Sequence, residues 1–169
     1  MAVISTLKKG SGGVAKTQQD DFVAYKTEFV LDFADALVAK GSALAATDII
    51  QTIVVPTGFV LLNAGIQKMS TIDATTLTVN LGITDAGGLG SEDVDEFVAA
   101  WDAKAASNGA YTPQLASAPT WFISTAEDTL DVALATLTGT LTSGKLRIWA
   151  ILCPVYAANK DVGIARVGS

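Results

Sequence analysis

The 169-residue chain contains no histidine and a single cysteine, Cys153. The missing imidazole removes the commonest general base near neutral pH and the commonest metal ligand. It also excludes any Ser-His-Asp or Cys-His arrangement for nucleophilic attack. One thiol cannot staple its own chain, so packing must hold the fold. Within "IWAILCPV", Cys153 reads as a small buried hydrophobe. Positive charge is scarce too: 11 Lys and Arg stand against 17 Asp and Glu, a net charge of −6. Nucleic-acid binding relies on clustered cations that displace phosphate counterions. Only Lys8, Lys9 and Lys16 lie near one another, so no nucleic-acid partner is expected. No run approaches the roughly 20 apolar residues that cross a bilayer, and no membrane partner is expected either. Lys8 and Lys9 are followed by no apolar segment of the secretory kind.

What the chain has in quantity is apolar surface. Hydrophobic residues make up 50% of it, and the mean hydropathy is +0.41. The length suits one domain with a sizeable core. Strands that are apolar on both faces raise the question of what covers the second face. In "DIIQTIVVPTGFVLLNAGIQKM" (Asp48 to Met69), Ile49, Ile53 and Val55 share one parity, while Ile50 and Val54 share the other. Pro56 and Gly58 suit a tight turn, so the segment reads as a hairpin. In "GKLRIWAILCPVY", Leu146, Ile148, Ala150 and Leu152 form one face, and Trp149, Ile151 and Cys153 crowd the other. A lone sandwich cannot bury both faces, so the second is expected to meet another chain.

The remaining pattern is mainly β. Tyr25, Thr27, Phe29, Leu31 and Phe33 alternate with Lys26, Glu28, Val30 and Asp32 in a half-buried strand. "ADALVAKGSALAATD" reads as a loop with one helical turn, because Gly41 and Ser42 interrupt its helix formers. In "TTLTVNLGIT", Leu77, Val79, Leu81 and Ile83 point inward. "SEDVDEFVAAWDAKAASNG" reads as a helix. Ser91 is its cap, acids lie at the positive end of its dipole, and Val94, Phe97, Val98, Trp101 and Ala105 form an apolar stripe. Strands resume with "TWFIST" and "TLDVALATLTG". The expected architecture is an antiparallel, jelly-roll-like β-sandwich over 25–157, with one inserted helix. A Gly-rich arm (1–24) precedes it, with Val3, Ile4 and Leu7 placed to dock elsewhere, and an extension (158–169) follows.

A search for chemistry yields no catalytic or metal site. "GSGGVAKT" lacks the preceding strand and the spacing of a phosphate loop. Glu92, Asp93, Asp95 and Glu96 fit the start of a helix better than a calcium loop. Asp85 with Asp128 or Asp131 could flank a sugar bond, but nothing in the sequence brings them together. Trp101, Trp121 and Trp149 could form a sugar-stacking platform, but Trp101 belongs to the helix stripe and Trp149 to the second apolar face. No enzyme activity and no cofactor are expected.

Asp48 to Met69, Thr75 to Asp85, Glu92 to Trp101 and Ser143 to Leu152 together resemble a family of small structural proteins of tailed phages. The shared pattern is a strand, a Pro-Xaa-Gly turn and a "VLLNAGIQ"-like strand, followed by "TTLTVNLGITD", "DVDEFV" and "SGKLRIWAIL" segments. It runs from Tyr25 to Val155. The resemblance implies a capsid decoration, or cement, protein on the outer capsid surface of the virion. Its partners would be the major capsid protein and further copies of itself in a homotrimer. Ile50, Val54, Trp149 and Ile151, with Val3, Ile4 and Leu7 of the arm, are then the expected oligomer and capsid contacts. The alternative is a tail-fibre or adhesin-like module that binds carbohydrate or host.

Overall fold

A computed structural model describes residues 24–83, 93–112, 122–123 and 127–154. These form eight strands and one helix: β1 (Tyr25–Asp32), α1 (Phe33–Lys40), β2 (Ile49–Val55), β3 (Phe59–Lys68), β4 (Thr76–Ile83), β5 (Asp93–Asp102), β6 (Phe122–Ile123), β7 (Asp128–Thr138) and β8 (Lys145–Pro154). Two four-stranded antiparallel sheets face each other, ordered β1-β8-β3-β6 and β2-β7-β4-β5. The expected antiparallel sandwich is therefore the fold. Its pairing is nested: β1 lies beside β8, β2 beside β7, β3 beside β6 and β4 beside β5, with successive pairs in alternate sheets. The arm residues Val3, Ile4 and Leu7 and the extension 158–169 lie outside the described residues.

Alternation builds the core where it was expected. Leu77, Val79, Leu81 and Ile83 of β4 are buried, and so are Leu146, Ile148, Ala150 and Leu152 of β8. They face each other across the sandwich with Ile53, Val55, Leu61, Ile66, Leu130, Val132 and Leu134. Tyr25 closes one end, edge-on to Phe59 with ring centroids 6.1 Å apart. Burial of these groups, at about 25 cal/mol per Å² of apolar surface, is the main stabilising term.

Four expectations are corrected. The segment read as a helix from Ser91 is strand β5, paired with β4 through Thr78–Asp102, Val79–Trp101, Leu81–Val98 and Ile83–Asp93. Between Trp101 and Val98 this strand spends three residues against two on β4. Such a bulge brings i and i+3 onto one face, which a periodicity reading takes for a helix. Ala100 marks the bulge with φ 45°, and its N–H donates to Asn80 Oδ1 at 2.7 Å.

The helix lies instead at the start of the segment expected to be a loop with a single helical turn, and runs for eight residues. Asp32 caps α1 by accepting from Ala34 N at 3.0 Å. Gly41, at φ 71°, ends it by donating to the Leu37 and Val38 carbonyls. A left-handed stop of this kind suits glycine. Phe33 is therefore not the last residue of a strand face but the first of α1, fully buried.

β2 and β3 do not form a hairpin. The Pro56–Gly58 turn carries the chain from one sheet to the other, and β2 pairs with β7 while β3 pairs with β8 and β6. Finally, Phe29 is 38% exposed rather than buried, because β1 is an edge strand.

Two loops are locked by named polar groups. Lys68 ends β3 on the core face, is 3% exposed, and donates from Nζ to the carbonyls of Lys104 (2.9 Å) and Ala106 (2.8 Å). The main chain of the same segment pairs with β3: Lys68 N to Ala110 O, Gly109 N to Lys68 O and Thr112 N to Ile66 O. Residues 109–112 therefore cover the β3 edge alongside β6.

Asp73, between β3 and β4, holds the loop before β8. Its carboxylate accepts from Thr142 Oγ1 at 2.5 Å, Thr142 N at 3.0 Å and Ser143 N at 3.1 Å. Burial pushes this carboxyl up, but those donors outweigh it and hold the pKa at about 2, against an ordinary 3.8. A carboxylate depressed by folding stabilises the fold above its unfolded pKa, and that contribution fades as pH falls through the folded value. Because Asp73 is exposed, solvent screening reduces its worth to about 1 kcal/mol. Wild type should therefore lose stability relative to Asp73→Asn between pH 4 and pH 2, as read by urea melts across that range. A constant difference from pH 5 to pH 2 would refute the assignment.

Candidate interaction surface

The outer face of the β1-β8-β3 sheet carries Trp149 at its centre, flanked by Glu28 on β1 and Gly65 on β3 in register. The indole lies against Gly65. A Cβ there would come within 2.7 Å of the ring, so only glycine admits it. Lys26 Nζ stands over the ring, 5.8 Å from its centroid, a cation–π distance. Lys26 also pairs with Glu28, whose second oxygen lies 3.7 Å from Arg147 Nε. The hydrogen bond from Lys26 holds the Glu28 carboxyl below the usual range, assisted by the nearby Lys26 and Arg147 charges. Arg147 Nη1 donates to Gln67 Oε1 at 3.2 Å, and Gln67 Nε2 reaches the Gly109 carbonyl. Ile151, between Lys26 and Asn63 in register, is half-buried. The result is an aromatic centre ringed by compensated charge. Such a surface suits protein contact, where Trp and Arg concentrate binding energy.

The other residues expected to make contacts divide. Val54 is 52% exposed on β2. Ile50 instead packs against the core. A register shift between Gln51 and Ile53 places Ile50 opposite Val132 and Ile53 opposite Leu130, so both face inward despite their opposite parity. Thr52 is the extra residue, and its hydroxyl donates to Leu130 O at 2.5 Å. The sequence reading also missed Ile49, 51% exposed on the same strand. Only the bulge decides which of the two parities faces out.

The acidic residues have a different setting from the helix start first inferred. Asp93 and Asp95 sit together on β5, and the hydrogen bond between their carboxyls lowers Asp93 and raises Asp95. Among the described residues, no three His, Cys, Asp or Glu side chains are arranged to hold a metal ion. Asp128 and Asp131 are buried on β7 at 8% and 1% exposure, while Asp85 lies outside the described residues. Trp101 packs against the core from β5, not from a helix stripe, and Trp121 lies outside the description. Cys153 is half-buried rather than buried, with Sγ 3.7 Å from the Pro154 carbonyl. No described helix is long and apolar enough to cross a membrane.

The fold defines the class: a two-sheet antiparallel β-sandwich whose counterparts occur among chains of phage capsid structures. One is in the capsid asymmetric unit of cyanophage Pam1, with a TM-score of 0.58 and 13% identity over 91% of this chain and 99% of that one. Another is in the capsid of Ralstonia phage GP4, with a TM-score of 0.54 and 19% identity over 79% and 84%. A third is in the acidic stable capsid of Helicobacter pylori bacteriophage KHP30, with a TM-score of 0.50 and 12% identity over 78% and 87%. No protein-family model matches the sequence, and no curated protein matches it.

Proposed function

We propose that this protein is a structural component of a phage head, a decoration or cement protein that binds the outside of the shell and stabilises it without catalysis. The observation that carries this reading is the fold's likeness to capsid chains over most of the length of both partners. The nested strand pairing, which we read as a jelly roll of two Greek keys, agrees with it. A net charge of −6 also suits a surface turned away from packaged DNA. In this reading the protein acts as a homo-oligomer, a trimer by its resemblance to phage structural proteins. Val54, Trp149 and Ile151 supply contacts to neighbours, and the arm 1–24 reaches across to the major capsid protein. Many weak contacts repeated over a shell add through avidity.

The test is imaging of heads assembled with and without the protein. Density for the sandwich should lie on the outer surface, and undecorated heads should release DNA at lower temperature until purified protein is added back. Deleting Met1 to Asp21 should weaken attachment while leaving the melting of the β-core nearly unchanged. Density inside the shell, or in the tail, would sink the reading.

A further inference from the structure

The two sheets end on one side in β1 and β2, which are edge strands packed against each other. The helix α1 closes the same side. Of the eight exposed large hydrophobic side chains among the described residues, five lie here: Phe29 (38%) and Val30 (46%) on β1, Val38 (80%) on α1, and Ile49 (51%) and Val54 (52%) on β2. β2 reads Ile-Ile-Gln-Thr-Ile-Val-Val, with no charge and no proline. Open edges in proteins that stay apart are normally guarded by lysine, proline or a cover. The opposite end of the first sheet shows such a cover, since β6 and residues 109–112 lie along β3.

Charge separates this flank from the other open edge. Lys26, Lys40, Lys145 and Arg147 are matched by Glu28, Asp32, Asp35 and Asp48, four of each sign. Most of these are tied into ion pairs with one another: Lys145 with Asp32 at 2.8 Å, Lys40 with Asp48 at 2.5 Å, and Glu28 with Lys26 and Arg147. The two acids of β7 behind β2, Asp128 and Asp131, are buried, at 8% and 1% exposure. β5, the far edge of the second sheet, carries Asp93, Asp95, Glu96 and Asp102 with no base among them. Two copies of a chain of net charge −6 repel each other, most strongly edge to edge at β5. They can meet without like-charge opposition at the neutral, apolar β1–α1–β2 flank.

We infer that this flank is the surface through which one copy of the protein contacts a second copy, with β2 at the centre of the contact. This deepens the oligomeric part of the proposed function and leaves the Trp149 face free for the shell. The contact itself does not require a capsid.

The experiment is sedimentation of purified full-length protein at micromolar concentration, comparing wild type, the double variant Ile49→Lys/Val54→Lys and Trp149→Ala. Wild type should self-associate. The double variant brings lysines together across the contact and should weaken association by about 100-fold. Both replaced side chains are half exposed, so the variant should still melt cooperatively as a folded chain, below wild type only by the stabilisation that association adds. Trp149→Ala should associate as wild type does. A monomeric wild type overturns the inference, and if deleting Met1 to Asp21 then restores association, the arm is the occupant of the flank. A folded double variant that associates like wild type overturns it as well. Self-association that persists in a protein unable to bind heads would sink the decoration reading and leave this one standing.

Discussion

Replacing Lys68 by methionine should lower the melting temperature by about 5–10 °C, a large shift for one residue near the end of a strand. The ammonium is buried and donates to two carbonyls of the turn after β5, Lys104 O and Ala106 O. Methionine fills similar space and keeps the apolar stem. It cannot donate, so both carbonyls lose their charged partner while remaining shielded from water. Leaving such groups unsatisfied costs about 2–3 kcal/mol. Burial, followed by the nearby Lys104 charge, draws the Lys68 pKa below its ordinary value. The ammonium therefore sits at some cost, and its retention points to the carbonyls it serves. Lys104, whose own Nζ donates to Ile72 O at 2.7 Å, should be displaced with the turn. Amide hydrogen exchange is the discriminating measurement. Protection should fall first at Lys68, Gly109 and Thr112, whose N–H groups pair across this docking. If the variant melts with wild type and those amides stay protected, the lysine is incidental.

Gly82→Ala should cost about 2–3 kcal/mol, near the upper range for adding one methyl group to a packed site. The reason is the neighbour. A Cβ on Gly82 would strike the backbone of Asp93, Val94 and Asp95 where β5 begins. A side chain can turn away from such a contact, but a paired main chain cannot. β5 must lift from β4, which loosens the Ile83–Asp93 end of the ladder. Asp131 lies beside Gly82 on the same face in register and is only 1% exposed. Urea titration should show a lower midpoint with an unchanged slope, since the unfolded surface is the same. An unchanged midpoint would mean that β5 does not lie over Gly82 in solution.

Both effects concern the region where reading the chain alone went astray. β4 and β8 were legible because each buries one face completely: Leu77 to Ile83 and Leu146 to Leu152 alternate without interruption, and a period of two has no other cause. β5 was not, because its bulges stretch the spacing of Val98 and Trp101 to that of a helix. α1 carried its signals in Asp32 and Gly41, cap and stop with eight residues between them. They were masked by the short span and by Phe33, which also continues the alternation of β1. The surface was half legible. Val54 is exposed, and Trp149 and Ile151 are half-buried on their strand, whereas Ile50 packs against the core and Ile49 is exposed.

The sequence by itself determined the class of this protein. Missing histidine, a lone cysteine, an acidic balance and short alternating strands leave an antiparallel sandwich held by packing. These are local or compositional properties, and local properties can be read without knowing neighbours. Tertiary structure alone decided which strands lie side by side, since a Pro-Xaa-Gly turn can close a hairpin or cross between sheets with the same residues. It also decided which apolar side chains remain in water. One inserted residue reverses every parity beyond it, and where an inserted residue sits is settled by the partner strand.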